Sequence, residues 1–218
     1  VTWVWTNRDL IVGLTAQHLL LALPSIVLSL LLAVPLARLT LRAPAARRLL
    51  LGTSSVLYAI PSLALFVVLP GVLGTGILDP LNVLVALTLY AMALMVRTAS
   101  EAFAAIEPDV LLSATAQGHG RWQRFVAVEL PQAGPAILAG LRVVSASTLS
   151  LVSVGALIGV QSLGTLFTEG YARGFLLEIA VGIVATVLLA VALDLLILGI
   201  GRATMPWAGI VQRAGAVA

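Results

Sequence analysis

Long stretches without a single charged residue limit what this chain can fold into more than any other feature. They run from Gln17 to Ala37, from Leu49 to Leu78, from Pro80 to Val96, from Val143 to Phe167, and from Ile179 to Gly201, the last interrupted only by Asp194. A helix of about 20 apolar residues crosses the hydrocarbon layer of a bilayer. None of the runs alternates with a two-residue period, so helices rather than barrel strands are expected. Only 10% of the residues are charged, against about 25% in soluble domains. The chain reads as an all-α integral membrane protein with about five transmembrane helices.

The charges between these runs suggest an orientation, because short cytoplasmic loops collect arginine. With the N-terminus outside, Arg38, Arg42, Arg47, Arg48, Arg97, Arg121, Arg124, Arg142, Arg202 and Arg213 fall inside, and Arg8 and Arg173 fall outside. The expected organisation is an external or interfacial segment 1–16, a membrane domain 17–201 with a cytoplasmic loop over about 97–134, and a cytoplasmic tail 202–218. The opening "VTWVWTNRDLIVGL" has no basic region ahead of its apolar core, so no removable signal is expected. Trp3 and Trp5 suit the outer headgroup level and Trp207 the inner one.

Missing residue types exclude whole classes of chemistry. All twelve basic residues are arginine, so the lysine of a phosphate-binding P-loop is unavailable. With no cysteine there is no thiolate nucleophile or thiolate metal site. His18 and His119 share no ligand spacing with carboxylates, so no metal is expected. "GHG" at Gly118 to Gly120 lacks the strand and third glycine of a dinucleotide loop. A net charge of +3 spread over separate loops makes no nucleic-acid stripe. An intramembrane hydrolase would need a nucleophile beside a base, and no such pair stands out.

One polar segment breaks the pattern: "AQGHGRWQRFVAVELPQAGP", Ala116 to Pro135. Pro108 suits the first turn of a helix running through "VLLSATAQ", with Glu107 and Asp109 at its positive end. Gly118 and Gly120 break that helix. A second helix from Arg121 places Trp122, Phe125, Val126 and Glu129 on one side, and Pro131 is expected to end it. On periodicity alone, a surface helix resting on lipid explains the segment equally well.

The particular residues go further. "LSATAQGHGRWQRFVAVELP" resembles the cytoplasmic signature of binding-protein-dependent ABC importer permeases: Glu-Ala-Ala, three residues, Gly, nine residues, Ile, one residue, Leu-Pro. Gly118, Val128, Leu130 and Pro131 keep that spacing, and Ala114 matches the second alanine. Leu112 stands where the family has Glu and Ser113 where it has the first Ala. "AIPSLALFVVLPGVLG", "VELPQAGPAILAGLR" and "SVGALIGVQSLGTLF" are similar to stretches of the osmoprotectant branch, which imports glycine betaine, choline, carnitine or proline-like solutes. The resemblance implies a type I importer permease fold. It also implies docking of Leu112, Ser113, Ala114, Gly118, Arg121, Trp122, Val128, Leu130 and Pro131 against a separate ATPase subunit, which carries the ATP and magnesium. A second permease subunit, identical or related, and an external solute-binding protein complete the implied assembly. The chain itself is expected to bind no cofactor and to catalyse no reaction. A methionine-type amino-acid importer, or a carrier independent of ATP, are the competing expectations.

Four residues inside the spans are further candidates. Asp194 either serves the pathway or pairs with Arg97 or Arg142. Tyr58 and Tyr90 either face the pathway, where an aromatic ring attracts a quaternary ammonium, or pack between helices with the hydroxyl on backbone. Pro61 marks a kink, either a gate hinge or a fixed bend. Arg142 is expected to snorkel from the start of the fourth span. Gly134, Gly140 and "SVGALIG" suit close helix packing.

Overall fold

A computed structural model describes residues 2–41 and 43–207. Arg42, Arg213 and the tail beyond 207 lie outside the described residues. Every regular element among these residues is helical: α1 (Thr2–Thr6), α2 (Arg8–Thr40), α3 (Pro44–Ala59), α4 (Ser62–Leu73), α5 (Pro80–Ala104), α6 (Pro108–Ala116), α7 (Arg121–Arg124), α8 (Leu130–Val154), α9 (Thr165–Ala172) and α10 (Leu176–Thr204). A π-helical turn, Phe125–Glu129, joins α7 to α8, and a 3₁₀ turn, Gly155–Ile158, follows α8. Four helices are long and apolar enough to cross a membrane; α3 and α4, bent by 105°, bring the number to five if counted as one span.

The spans differ in detail from the uncharged runs. The first begins at Arg8, ahead of Gln17, because backbone hydrogen bonding continues past the point where the apolar run ends. The third keeps its start at Pro80, capped by the Asp79 carboxylate accepting from the Leu81 N–H at 2.9 Å, and extends past Val96 to Ala104. The fourth is Leu130–Val154, earlier than the run from Val143. Pro131 therefore ends no helix. Leu130 N–H donates to the Phe125 carbonyl in an i→i+5 pattern, and the extra residue makes room for a proline ring that would clash with an α-helical carbonyl.

Helix α5 is central, packing against α2, α3, α4 and α8. One half of it, through its own Ala91 and Ala99, meets Ala33 and Ala37 of α2 and Ala133 of α8, small residues that let backbones approach closely. The other half of the bundle is filled by Leu21, Ile26, Phe66, Leu87, Leu149 and Val152. Gly140 lies against the Thr98 side chain, where any Cβ would collide, and Gly134 against Met205. Both glycines serve packing, as their spacing suggests. Buried His18 donates from Nε2 to the Leu149 carbonyl at 3.0 Å, tying α2 to α8. Helix α10 touches only α8 and α9 closely and leaves Val184, Leu188, Val191 and Leu195 exposed.

Candidate coupling element and intramembrane polar groups

The signature segment folds as helix, tight turn and helix. Pro108 opens α6 with Asp109 in its first turn, and α6 ends where Gly118 takes φ +85°. His119 N–H closes the turn on the Ala114 carbonyl at 3.1 Å, and His119 Nδ1 donates to the same carbonyl at 3.1 Å. Only glycine enters that φ region without a Cβ penalty.

From Gly120 the chain enters α7, the π turn and α8 as one continuous rod. Glu129, 6% exposed, is its anchor. Arg38 at the end of α2 donates from Nε to Glu129 Oε2 at 2.7 Å and from Nη2 to Oε1 at 3.2 Å. Arg124 donates from Nε to Glu129 Oε1 at 2.9 Å and from Nη1 to Thr115 Oγ1 on α6 at 3.0 Å. The Arg38 guanidinium also lies 4.5 Å from the centre of the Phe125 ring, a cation–π contact. Phe125 in turn packs against Phe103 of α5 and Trp122. Burial alone would raise the pKa of Glu129, but hydrogen bonds from Arg38 and Arg124 outweigh it and hold the carboxyl below its ordinary range. The rod is thus bolted to the end of α2 and to α6 through one carboxylate.

The residues expected to dock fall into three settings. Leu112 at 66% and Trp122 at 73% are strongly exposed apolar side chains, and Ser113 and Arg121 are exposed beside them in sequence. Ser113, Ala114 and Val128 come together around a hollow of about 360 Å³. Leu130 and Pro131 face elsewhere, lining a separate hollow with Met205 and Trp207. Trp207 Nε1 donates to the Pro131 carbonyl at 3.4 Å, so the end of α10 closes on the start of α8. Glu129 was singled out by no motif. Its sequence signal is a carboxylate in an apolar stretch, five residues after Arg124.

Within the spans, Asp194 pairs with Arg142 and not with Arg97, which pairs instead with Glu101 on its own helix. Arg142 stands midway along α8 and is paired with Asp194, so it does not snorkel from the start of the fourth span, which begins at Leu130 and not at Val143. Tyr90 is buried, and its hydroxyl donates to the Ile60 carbonyl at 2.6 Å. That carbonyl precedes Pro61, at the 105° break between α3 and α4. The tyrosine thus satisfies an acceptor left by the break, which is the packing role. Tyr58, 46% exposed, meets the Tyr90 ring edge-on with centroids 6.1 Å apart.

At the opposite end of the bundle, Glu178 is fully buried in the first turn of α10, and Arg173 grips both its oxygens at 2.5 and 2.7 Å. Nothing local in the chain marks this pair beyond an acid placed at a helix N-terminus.

The family described as "Binding-protein-dependent transport system inner membrane component" matches residues 25–207. The chain belongs to this family. Among its relatives, the osmoprotectant import permease protein OsmW of Salmonella typhimurium is 30% identical over 200 residues, covering 90% of this chain and 93% of that protein. The carnitine transport permease protein OpuCB of Listeria monocytogenes is 29% identical, covering 78% of this chain and 77% of that one. The inward-facing MetNI methionine ABC transporter shares the fold with a TM-score of 0.79, at 20% identity and covering 91% of this chain and 97% of that one. The fold expected of a type I importer permease is therefore present, in a multi-pass membrane protein of the binding-protein-dependent transport family.

Proposed function

We propose that this chain is the permease subunit of an ATP-driven importer of compatible solutes such as glycine betaine, choline, carnitine or proline. The similarity to OsmW along nearly the whole of both chains carries the solute class. The methionine alternative rests on a structural likeness at 20% identity, which speaks for fold alone.

In this reading the end bearing Arg38, Arg47, Arg121 and Arg124 faces the cytoplasm, as the arginine bias requires, in the prokaryotic cytoplasmic membrane. A separate ATPase docks on the segment from Leu112 to Pro131, with exposed Leu112 and Trp122 as its apolar contacts. An external binding protein delivers solute, and a second permease subunit completes the pathway. The permease performs no chemistry; it moves between two arrangements whose balance is set by nucleotide on the ATPase. The Arg38–Glu129–Arg124 linkage supports this, because a pull on α6 and α7 reaches α2 through ion pairs rather than loose loop. Pro61 and Tyr90 act as a fixed bend in this scheme, and Tyr58 is the aromatic side chain left accessible beside it.

The test is reconstitution with the ATPase and binding protein in vesicles, measuring glycine betaine uptake with and without ATP. Accumulation only with ATP supports the proposal. Equal uptake in both conditions identifies a carrier instead.

A further inference from the structure

The same end of the bundle holds a hollow of about 590 Å³ between the end of α2, the start of α3, the end of α5 and the signature segment. Arg38, Arg47, Arg121 and Arg124 line it, with Glu129 as the one acid among the described residues. Among the described residues, four guanidinium charges face one carboxylate there. Glu129 is saturated by Arg38 and Arg124. Among the described residues Arg47 is held only by uncharged Ser100, donating to its Oγ at 2.8 Å and its carbonyl at 3.3 Å. The Arg121 side chain makes no hydrogen bond or ion pair among the described residues. The site is therefore short of anions, not merely rich in cations.

Its walls also have an apolar side. Leu39, 71% exposed, and Leu111 adjoin the arginines, with Phe103 behind them. The lining comes from the ends of α2 and α5, both long and apolar enough to cross a membrane, and from the start of α3. A ligand that fits both features carries a phosphate and an apolar chain. We propose that this hollow binds the phosphate of an anionic phospholipid, with Arg47 and Arg121 as the contacts that have no acidic partner among the described residues and Leu39 beside its glycerol and upper acyl chain; Arg121 then serves the lipid, and the ATPase contacts are the exposed Leu112 and Trp122. Basic pockets between helix ends are the general form of such sites, and a guanidinium fork suits phosphate oxygens.

The test uses the full-length chain purified in detergent and incubated with phosphatidylglycerol, with phosphatidylcholine, or with phosphatidylglycerol plus inorganic phosphate. Retained lipid is read by native mass spectrometry. Wild type keeps phosphatidylglycerol in preference to phosphatidylcholine. Arg121→Gln and Arg47→Gln each lower that retention about fivefold, the worth of one arginine at an anionic surface. Arg97→Gln removes the same charge outside the hollow and leaves retention unchanged. Arg121→Gln breaks no side-chain bond among the described residues, so its effect is not one of unfolding; circular dichroism checks this. Equal retention of the two lipids, or wild-type retention by both hollow variants, overturns the proposal. A fall with Arg97→Gln as large as the others also overturns it, by showing general charge attraction. Displacement of the lipid by millimolar inorganic phosphate assigns the site to free phosphate and overturns the lipid assignment.

Discussion

Arg142 and Asp194 join α8 to α10 through two parallel hydrogen bonds of 2.6 and 2.8 Å. Arg142 lies midway along its helix, at a depth where an unpaired charge is strongly disfavoured. The side chains are 39% and 36% exposed within this chain, so the pair is shielded only in part by its own fold. Asp194→Asn or Arg142→Gln strands the remaining partner and should lower the melting temperature in detergent by several degrees. The exchange of Arg142→Asp with Asp194→Arg should recover most of the loss. A double exchange no better than the single changes would deny the pairing its role.

Tyr90 completes the backbone at the α3–α4 break. Tyr90→Phe leaves the Ile60 carbonyl without its donor, at a cost of about 1–2 kcal/mol. Tyr58→Phe, whose hydroxyl has no hydrogen-bond partner among the described residues, should be neutral. Thermal melting of both variants checks this, and a Tyr58 effect as large as that of Tyr90 would contradict it.

Gly118 holds φ +85°, where a β-branched residue is strained by at least about 1–2 kcal/mol. Gly118→Val should leave the membrane helices intact by circular dichroism and reduce ATP-driven uptake. Gly118→Asn, a residue that tolerates this region, should retain most activity. Equal loss in both variants would place the effect elsewhere than in backbone conformation.

The anchoring of the signature segment has a defined pH response. The carboxyl of Glu129 is depressed on folding from its ordinary value of 4.5. Stability from a depressed carboxylate is present above the unfolded value and is lost as pH falls through the lower, folded one. Hydrogen exchange of residues 121–129 should therefore keep its protection, after correction for intrinsic rates, between pH 7 and pH 5. A loss of protection already at pH 6 would show that the ion pairs do not hold the segment.

Where the spans lie was legible because an uncharged run of about 20 residues has few alternatives to a membrane helix. Their ends were less so. The run after Arg142 hid the true start of α8, because Arg142 is neutralised by Asp194, a partner 52 residues away. A long-range ion pair leaves no local pattern. Pro131 was readable as a breaker, but the π turn that absorbs it depends on one inserted residue, which sequence spacing does not reveal. In the candidate site, Gly118 and the Leu130-Pro131 step were visible as a motif. Glu129 was not, since its importance comes from Arg38, brought to it only by the packing of α2 beside α8.

Glutamate 129 is also where force from a docked ATPase would have to pass, so Glu129→Gln probes the proposed coupling most directly. The substitution keeps the shape while removing the charge that holds Arg38 and Arg124. The measurement is glycine betaine uptake and ATP hydrolysis recorded together in vesicles containing the permease, its ATPase and its binding protein. Hydrolysis should persist while solute moved per ATP falls about tenfold. An unchanged ratio of solute to ATP in the variant would contradict transmission through the Arg38–Glu129–Arg124 linkage.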